Sequence, residues 1–439
     1  MAADPHSFAF VAACAILAAT YALVITEWVN RALVALVGAG LVIVLGVLHQ
    51  DEAVRAIDFN TLGLLAGMMT IVAVAKKSGV FGYVAVASAQ AARGSPAAIL
   101  IALGLVTALL SAALDNVTTV MLVVPVTFVV CGELKVPVYP FLVTEILTSN
   151  IGGAATLIGD PPNILIGSAA GLSFNDFLVN VGPPAAIILV VQLAICHFVW
   201  GVKLHATPAD RERLMRIDAR NAIQNRYLLI CSLIVIAGVI AAFVFAHQLG
   251  LEAATIALMG GAVLLILENV PFERKLHSGN VNHAFREIEW VTLFFFLGLF
   301  VVVGAVARVG ALDILGQALM RATGGDPQAT ALGVLWSSAF LSAIIDNIPF
   351  VTTMIPLVKG LAPHFGGAHG LLPIWWALSL GACLGGNGTL VGASANLTVA
   401  GLAEKNGVPF SFVTYAKAAL PMMILSIAIS HAYMMWRYF

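Results

Sequence analysis

Two aspartate–asparagine pairs stand where an apolar chain is expected to carry none. Asp115-Asn116 and Asp346-Asn347 each fall near the middle of a long apolar stretch, 97–131 and 330–358. A bare carboxylate at the centre of a bilayer costs about 3 kcal/mol or more, so such a residue persists because it protonates, pairs or binds a cation. Asn116, Thr118 and Thr119 beside the first aspartate, and Asn347 beside the second, add hard oxygen ligands of the kind sodium accepts. Asp and Asn are also favoured helix N-caps, and capping and coupling are compatible roles for each pair.

Two further polar clusters break apolar runs. The first carries Asn150, Gly152, Gly153, Thr156, Gly159, Asp160, Pro161, Pro162 and Asn163; the second carries Cys383, Gly385, Gly386, Asn387, Gly388, Thr389, Gly392 and Asn396. Glycine lets backbone approach a ligand closely, and proline removes backbone donors. Unwound backbone is tolerated in lipid only where protein or a water-filled cavity covers it. Spans 139–170 and 373–402 are therefore expected to be broken into half-helices whose ends face such a cavity. Their N-terminal ends offer N–H groups to anions, and their freed carbonyls coordinate cations. Any one of these glycines can instead serve a close helix crossing. Glu145 and Asp160 are lesser coupling candidates: Glu145 fits the cytoplasmic half of the first broken helix or an interfacial or loop position, and Asp160 aligns with Ala393 in the repeat. Cys383 stands where Asn150 stands in the other cluster, placed either to contact a soft substrate or simply to pack.

The elements that hold these groups follow from composition. Of 439 residues, 61% are hydrophobic and only 10% charged, with a mean hydropathy of +1.00. Soluble domains carry about 25% charged residues, so the class is a polytopic, all-α membrane protein in contact with lipid. The formal net charge of −1 gives no polyanion-binding field and no case for nucleic acid. Five cysteines without paired spacing give neither a disulfide framework nor a zinc pattern, so no metal ligand set and no cofactor is expected. Ten apolar runs can span a bilayer: 8–26, 31–49, 60–77, 139–170, 181–203, 227–247, 251–268, 290–308, 373–402 and 413–436. The stretches 97–131 and 330–358 read as helical hairpins that enter the membrane and turn back. The first run has no basic leader, with Asp4 the only charge before Glu27, and is kept as a span rather than a signal peptide.

Basic residues set the orientation. The 204–226 linker, flanked by Lys203, carries Arg211, Arg213, Arg216, Arg220 and Arg226 and belongs in the cytoplasm. Threading outward from it puts 16 of the 21 basic residues inside, Arg31, Arg274 and Lys275 among them. Both termini then lie on the non-cytoplasmic side of what is expected to be a bacterial inner membrane.

The chain repeats itself. A shift of 231 lays Arg55, Ile57, Thr61, Leu62, Gly67 and Gly79 on Arg286, Ile288, Thr292, Leu293, Gly298 and Gly310, and carries Ser111, Asp115, Asn116 and Pro125 onto Ser342, Asp346, Asn347 and Pro356. A shift of 233 lays Gly152, Gly153, Thr156, Gly159 and Asn163 on Gly385, Gly386, Thr389, Gly392 and Asn396. The halves are 1–203 and 227–439, each with five spans and a hairpin. Five being odd, the halves run oppositely through the membrane. An inverted repeat with interrupted helices is the signature of secondary transporters, with substrate at the midplane between halves. Segments 79–93 and 310–323 read as short amphipathic helices or connectors after the third span of each half.

These four motifs, in order and over nearly the whole chain, resemble the P-protein (pink-eyed dilution) group of the ion transporter superfamily, alongside arsenite efflux permeases and NhaD-type sodium/proton antiporters. A long soluble insert of the animal P proteins is missing between the halves, which suggests a compact prokaryotic relative. The divalent-anion/sodium symporters of the superfamily carry Ser-Asn-Thr at the hairpin tips, where this chain reads Asp115-Asn116-Val117 and Asp346-Asn347-Ile348. That substitution argues against citrate or dicarboxylate binding and for proton or cation coupling, or a neutral substrate such as arsenous acid. The resemblance implies a homodimer and an elevator-type motion. The expected function is proton-coupled efflux of arsenite, antimonite or a similar small oxyacid or anion, with sodium/proton antiport as the alternative. An intramembrane aspartyl protease also needs two buried Asp, but neither the residues preceding Asp115 and Asp160 nor the repeat fits it, so no enzyme is expected.

Overall fold

Two rows of nine helices in the same order make up most of the chain in the computed structural model. It describes residues 6–26, 28–270 and 274–439, without the side chains of 274–278. Asp4, Glu27 and the side chains of Arg274 and Lys275 therefore lie outside the described residues. The first row is α1 (Phe8–Thr26), α2 (Arg31–Val44), α3 (Phe59–Lys76), α4 (Val80–Ala91), α5 (Pro96–Ala113), α6 (Asn116–Leu134), α7 (Tyr139–Ala154), α8 (Pro161–Ala170) and α9 (Gly182–Val199). The second is α10 (Arg226–Val244), α11 (Ala253–Asn269), α12 (Trp290–Arg308), α13 (Ala311–Thr323), α14 (Pro327–Ile344), α15 (Asn347–Gly360), α16 (Leu372–Gly385), α17 (Ser394–Lys405) and α18 (Phe412–Tyr438). Short helices join them, among them Gln50–Ala56, Phe174–Asn180 and Pro208–Met215.

Local chemistry sets the breaks. α5 and α14 both open on proline, whose fixed φ suits a first helical position. α4 and α13 follow Gly79 (φ 82°) and Gly310 (φ 78°), left-handed turns that only glycine adopts freely. The segments at 79–93 and 310–323 are thus helices. The expected span at 31–49 is shorter: α2 ends at Val44, because Gly46 turns the chain at φ 72° before the next short helix. Among the described residues, eight helices are long and apolar enough to cross a membrane by length and composition. Both arms of the first hairpin, α5 and α6, are among them, so that hairpin has the reach of two full spans.

Close glycine crossings join the rows. Gly67 of α3 lies on the backbone of Ala257 in α11, and its repeat partner Gly298 of α12 lies on the backbone of Ala35 in α2. Where lipid removes the hydrophobic drive for helix association, such contacts supply dispersion that bulkier residues would forfeit. Helices α1, α2, α3, α10, α11 and α12 pack mainly on one another, and the hairpins pack on the broken helices. Leu33, Val37 and Leu41 on α2, and Ile230 and Ile234 on α10, point outward and exposed at spacings of one helical turn. Such stripes suit a lipid environment.

Candidate functional site

The hairpin tips bring the aspartates to helix N-termini. Leu114 closes α5, and Asp115 takes an extended conformation whose Oδ1 accepts the Thr118 N–H at 2.8 Å. Asp346 does the same for α15, accepting the Ile348 N–H at 3.0 Å. Both aspartates therefore cap their helices with one carboxylate oxygen.

The breaks in the other two spans are where the sequence puts them. α7 ends at Ala154 and α8 begins at Pro161; α16 ends at Gly385 and α17 begins at Ser394. Each break is tied by matched side chains. Thr156 Oγ1 donates to Ala112 O at 2.6 Å, and Thr389 Oγ1 to Ala343 O at 2.5 Å. Ser111 donates to Ser149 O, and Ser342 to Ala382 O, each at 2.7 Å. Asn163 Nδ2 donates to the carbonyls of Ala154 (3.1 Å) and Thr156 (2.8 Å), and Asn396 Nδ2 to those of Gly386 and Thr389, both at 2.8 Å. The carbonyls expected to be free for a cation are thus taken by asparagine at these positions. The glycine pairs serve packing: a Cβ on Gly152 or Gly385 would overlap the backbone of Ala108 or Ala339, and one on Gly153 or Gly386 the carbonyl of Gly159 or Gly392.

Two buried polar groups then form, each drawn from both halves. In the first, Asn116 Nδ2 donates to Asn150 Oδ1 at 3.1 Å, while Asn150 Nδ2 donates to Asn387 Oδ1 (2.8 Å) and Asn396 Oδ1 (2.9 Å). In the second, Asn347 Nδ2 lies 3.4 Å from both oxygens of Asp160, and Asn163 Oδ1 accepts from Ser379 Oγ at 2.6 Å and Cys383 Sγ at 3.4 Å. The repeat maps Asn116, Asn150 and Asn396 onto Asn347, Cys383 and Asn163, so the two groups are partial copies of one arrangement. Asp160 makes them unequal, since Ala393 holds its place in the copy. Asp160 also lies within electrostatic reach of Asp115 and Asp346.

Other sequence candidates are placed differently. Glu145 is in no loop: it is buried within α7, accepts from Thr127, and leaves Oε2 without a hydrogen-bond partner. Thr119 is buried with its hydroxyl unpartnered, and Thr118 serves Asp115 through its backbone. Of the three ways a carboxylate persists in an apolar stretch, Asp346 shows pairing. Arg31 Nη1 lies 3.5 Å from Asp346 Oδ2, an ion pair between two partly exposed side chains. Sequence reasoning counted Arg31 only as a topology marker, and it passed over Ser379, Ser394 and Tyr21. The one signal for Arg31 was its place at the start of a span.

A family model described as citrate transporter matches residues 21–381. An uncharacterized transporter of Mycobacterium tuberculosis is 42% identical over 434 residues, covering 98% of this chain and 99% of that protein. The P protein of Homo sapiens is 34% identical over 505 residues, covering 96% of this chain and 59% of that protein. The crystal structure of the Alcanivorax borkumensis YdaH transporter shares the fold, with a TM-score of 0.62 at 14% identity over 95% of this chain and 98% of that one.

Proposed function

The chain belongs to the citrate transporter family of integral membrane transporters, and from that premise we propose that it is a secondary active transporter driven by protons or sodium ions, with its substrate bound between the two halves. The observation that carries this reading is the pair of buried asparagine groups built from both halves, with Asp115, Asp160 and Asp346 around them. Their amides bond one another, so a solute that enters exchanges protein partners for its own without leaving a polar group unpaired.

Charge narrows the substrate. Arg31 pairs with Asp346, and Asp160 lies within electrostatic reach of both tip aspartates, so a bare tricarboxylate would meet net repulsion there while these carboxylates are ionised. An uncharged oxyacid such as arsenous acid, with hydroxyl groups that donate and accept, suits the asparagine and aspartate lining better. Efflux of arsenite or antimonite is therefore the leading reading. Sodium/proton antiport is the second, favoured by the density of amide and carboxylate oxygens. The inverted orientation of the halves, a homodimer, an elevator motion, a bacterial inner membrane and termini outside the cytoplasm belong to the same proposal. The test is transport into everted vesicles under an imposed pH gradient, comparing arsenite, sodium and citrate. Gradient-driven movement of citrate, with none of arsenite or sodium, would reject the charge argument.

A further inference from the structure

Arg31 reaches from the first turn of α2 to the tip of the second hairpin. Beyond the contact with Asp346, Nη1 donates to Ser394 Oγ at 2.7 Å and Nη2 to Thr292 Oγ1 at 3.1 Å. The guanidinium carbon sits 5.4 Å from the centre of the Phe295 ring. Ser394 Oγ in turn donates to Asp346 Oδ2 at 2.9 Å. Nearby, the Tyr21 hydroxyl donates to Pro349 O at 2.6 Å and meets the Thr353 hydroxyl. Arg31, Thr292, Phe295 and Tyr21 all belong to α1, α2 and α12, which pack together. Asp346, Pro349 and Ser394 belong to the second hairpin and the second broken helix. One cation thus bridges the two groups of helices.

The first hairpin has no equivalent. Among the described residues no basic side chain pairs with Asp115, whose Oδ1 is bonded to its own helix. The repeat accounts for the difference: Ala253 opens α11 where Arg31 opens α2, and Pro161 opens α8 where Ser394 opens α17. The tips share the Asp-Asn pair and its capping role, yet among the described residues only the second is tied down by charge.

A cation that binds Asp346 competes for the same carboxylate. A proton cancels its charge, and a sodium ion takes its lone pairs, so either removes what holds the guanidinium. We propose that Arg31 is a built-in counter-ion for Asp346: it pins the second hairpin tip to α2 and α12 until a coupling cation takes its place, and the exchange frees that tip. The proposal rests on the transport reading above. The other charged groups facing this place are acidic. Glu289 accepts from Thr292 at 3.0 Å and feels the charges of Asp115 and then Arg31, while Asp160, bonded to Asn347 across the halves, lies within electrostatic reach of Asp346 and Asp115. A displaced guanidinium therefore has Glu289 as its next partner.

The test uses the full chain in nanodiscs, with hydrogen–deuterium exchange read at the tip, residues 343–348. Sodium is titrated at alkaline pH, and protons are titrated without sodium. In the wild-type protein the tip should exchange slowly in the absence of both and faster at saturation with one of them. Arg31→Gln should exchange fast from the start and bind that cation roughly tenfold more tightly, because a competitor for the competent state is gone. Thr292→Val keeps the charge but loosens its seat, and should fall between them. Equal tip exchange in wild type and Arg31→Gln, or weaker cation binding in the variant, would overturn the proposal. Should Arg31→Gln not fold, Thr292→Val carries the test with the same sign. Absent transport in vesicles with the tip response intact would reject the transport reading alone; normal coupled transport with no tip response would reject the counter-ion alone.

Discussion

Adding one methyl group at Gly152 or Gly385 should cost stability although both glycines sit in helices. Alanine at a helical position ordinarily gains about 1 kcal/mol over glycine. Here the added Cβ of Gly385 would lie 2.5 Å from Ala339 O and 2.6 Å from Ala339 Cα, and that of Gly152 would lie 2.7 Å from Ala108 Cα and closer still to its carbonyl oxygen. The obstacle in each case is helix backbone, which cannot rotate aside as a side chain does. Hairpin and broken helix must part, and overpacking of this kind costs typically about 1–3 kcal/mol. The overlap should cancel or outweigh the propensity gain, leaving each variant less stable than wild type by up to about 2 kcal/mol. Gly386→Ala should be milder, with its nearest obstacle, Gly392 O, at 2.9 Å. Gly401→Ala on α17 is the control: nothing lies within 4 Å of its Cβ, and it should gain about 0.5–1 kcal/mol. The assay is the denaturant midpoint of the four variants by tryptophan fluorescence in one detergent. If Gly152→Ala and Gly385→Ala unfolded at the midpoint of Gly401→Ala, the close crossing of hairpin and broken helix would be refuted.

Asn163→Ala strips the donor from the carbonyls of Ala154 and Thr156 and should cost about 1–3 kcal/mol, with Asn396→Ala close to it, as read by the same midpoints. Glu287 is held below the ordinary carboxylate range chiefly by a hydrogen bond from Lys76 at 2.9 Å. The stability from that pair is present above the ordinary range and lost as pH falls through the lowered value. Lys76→Met should therefore flatten the acid side of the stability–pH curve, while unchanged curves would count against the pair. Labelling of Met215→Cys in sealed cells should occur only from the cytoplasm and that of Phe439→Cys only from outside; outside labelling at position 215 would reject the topology.

The polar interruptions were legible because they violate the chemistry of lipid. An Asp-Asn pair or a Gly-Gly pair weakens an apolar helix unless it caps, packs or binds; both hairpin tips fall at the Asp-Asn pairs, and the two broken helices break at or just after their Gly-Gly pairs. The repeat was legible because pairs such as Gly67 and Gly298 must remain glycine where two helix backbones touch. Partnership was not legible. Arg31 looks in sequence like any basic residue at a span end, and its bond to Asp346, 315 positions away, depends on how α2 packs on α12. Asp160 looks secondary in sequence because the repeat does not copy it, yet its bond to Asn347 ties the two halves together. The glycine pairs look like ligand contacts, but their Cα atoms face backbone; close approach to a chain and to a substrate leave the same mark in sequence.

Gradient-driven uptake by Asp115→Asn and Asp346→Asn in everted vesicles, normalised to folded protein, tests the coupling role of the tip aspartates most directly. Wild-type vesicles should accumulate the substrate under a pH or sodium gradient and lose it when the gradient collapses, and each single variant should show no gradient-driven accumulation while retaining its fold. Full coupled uptake in both single variants would contradict the role given to these carboxylates.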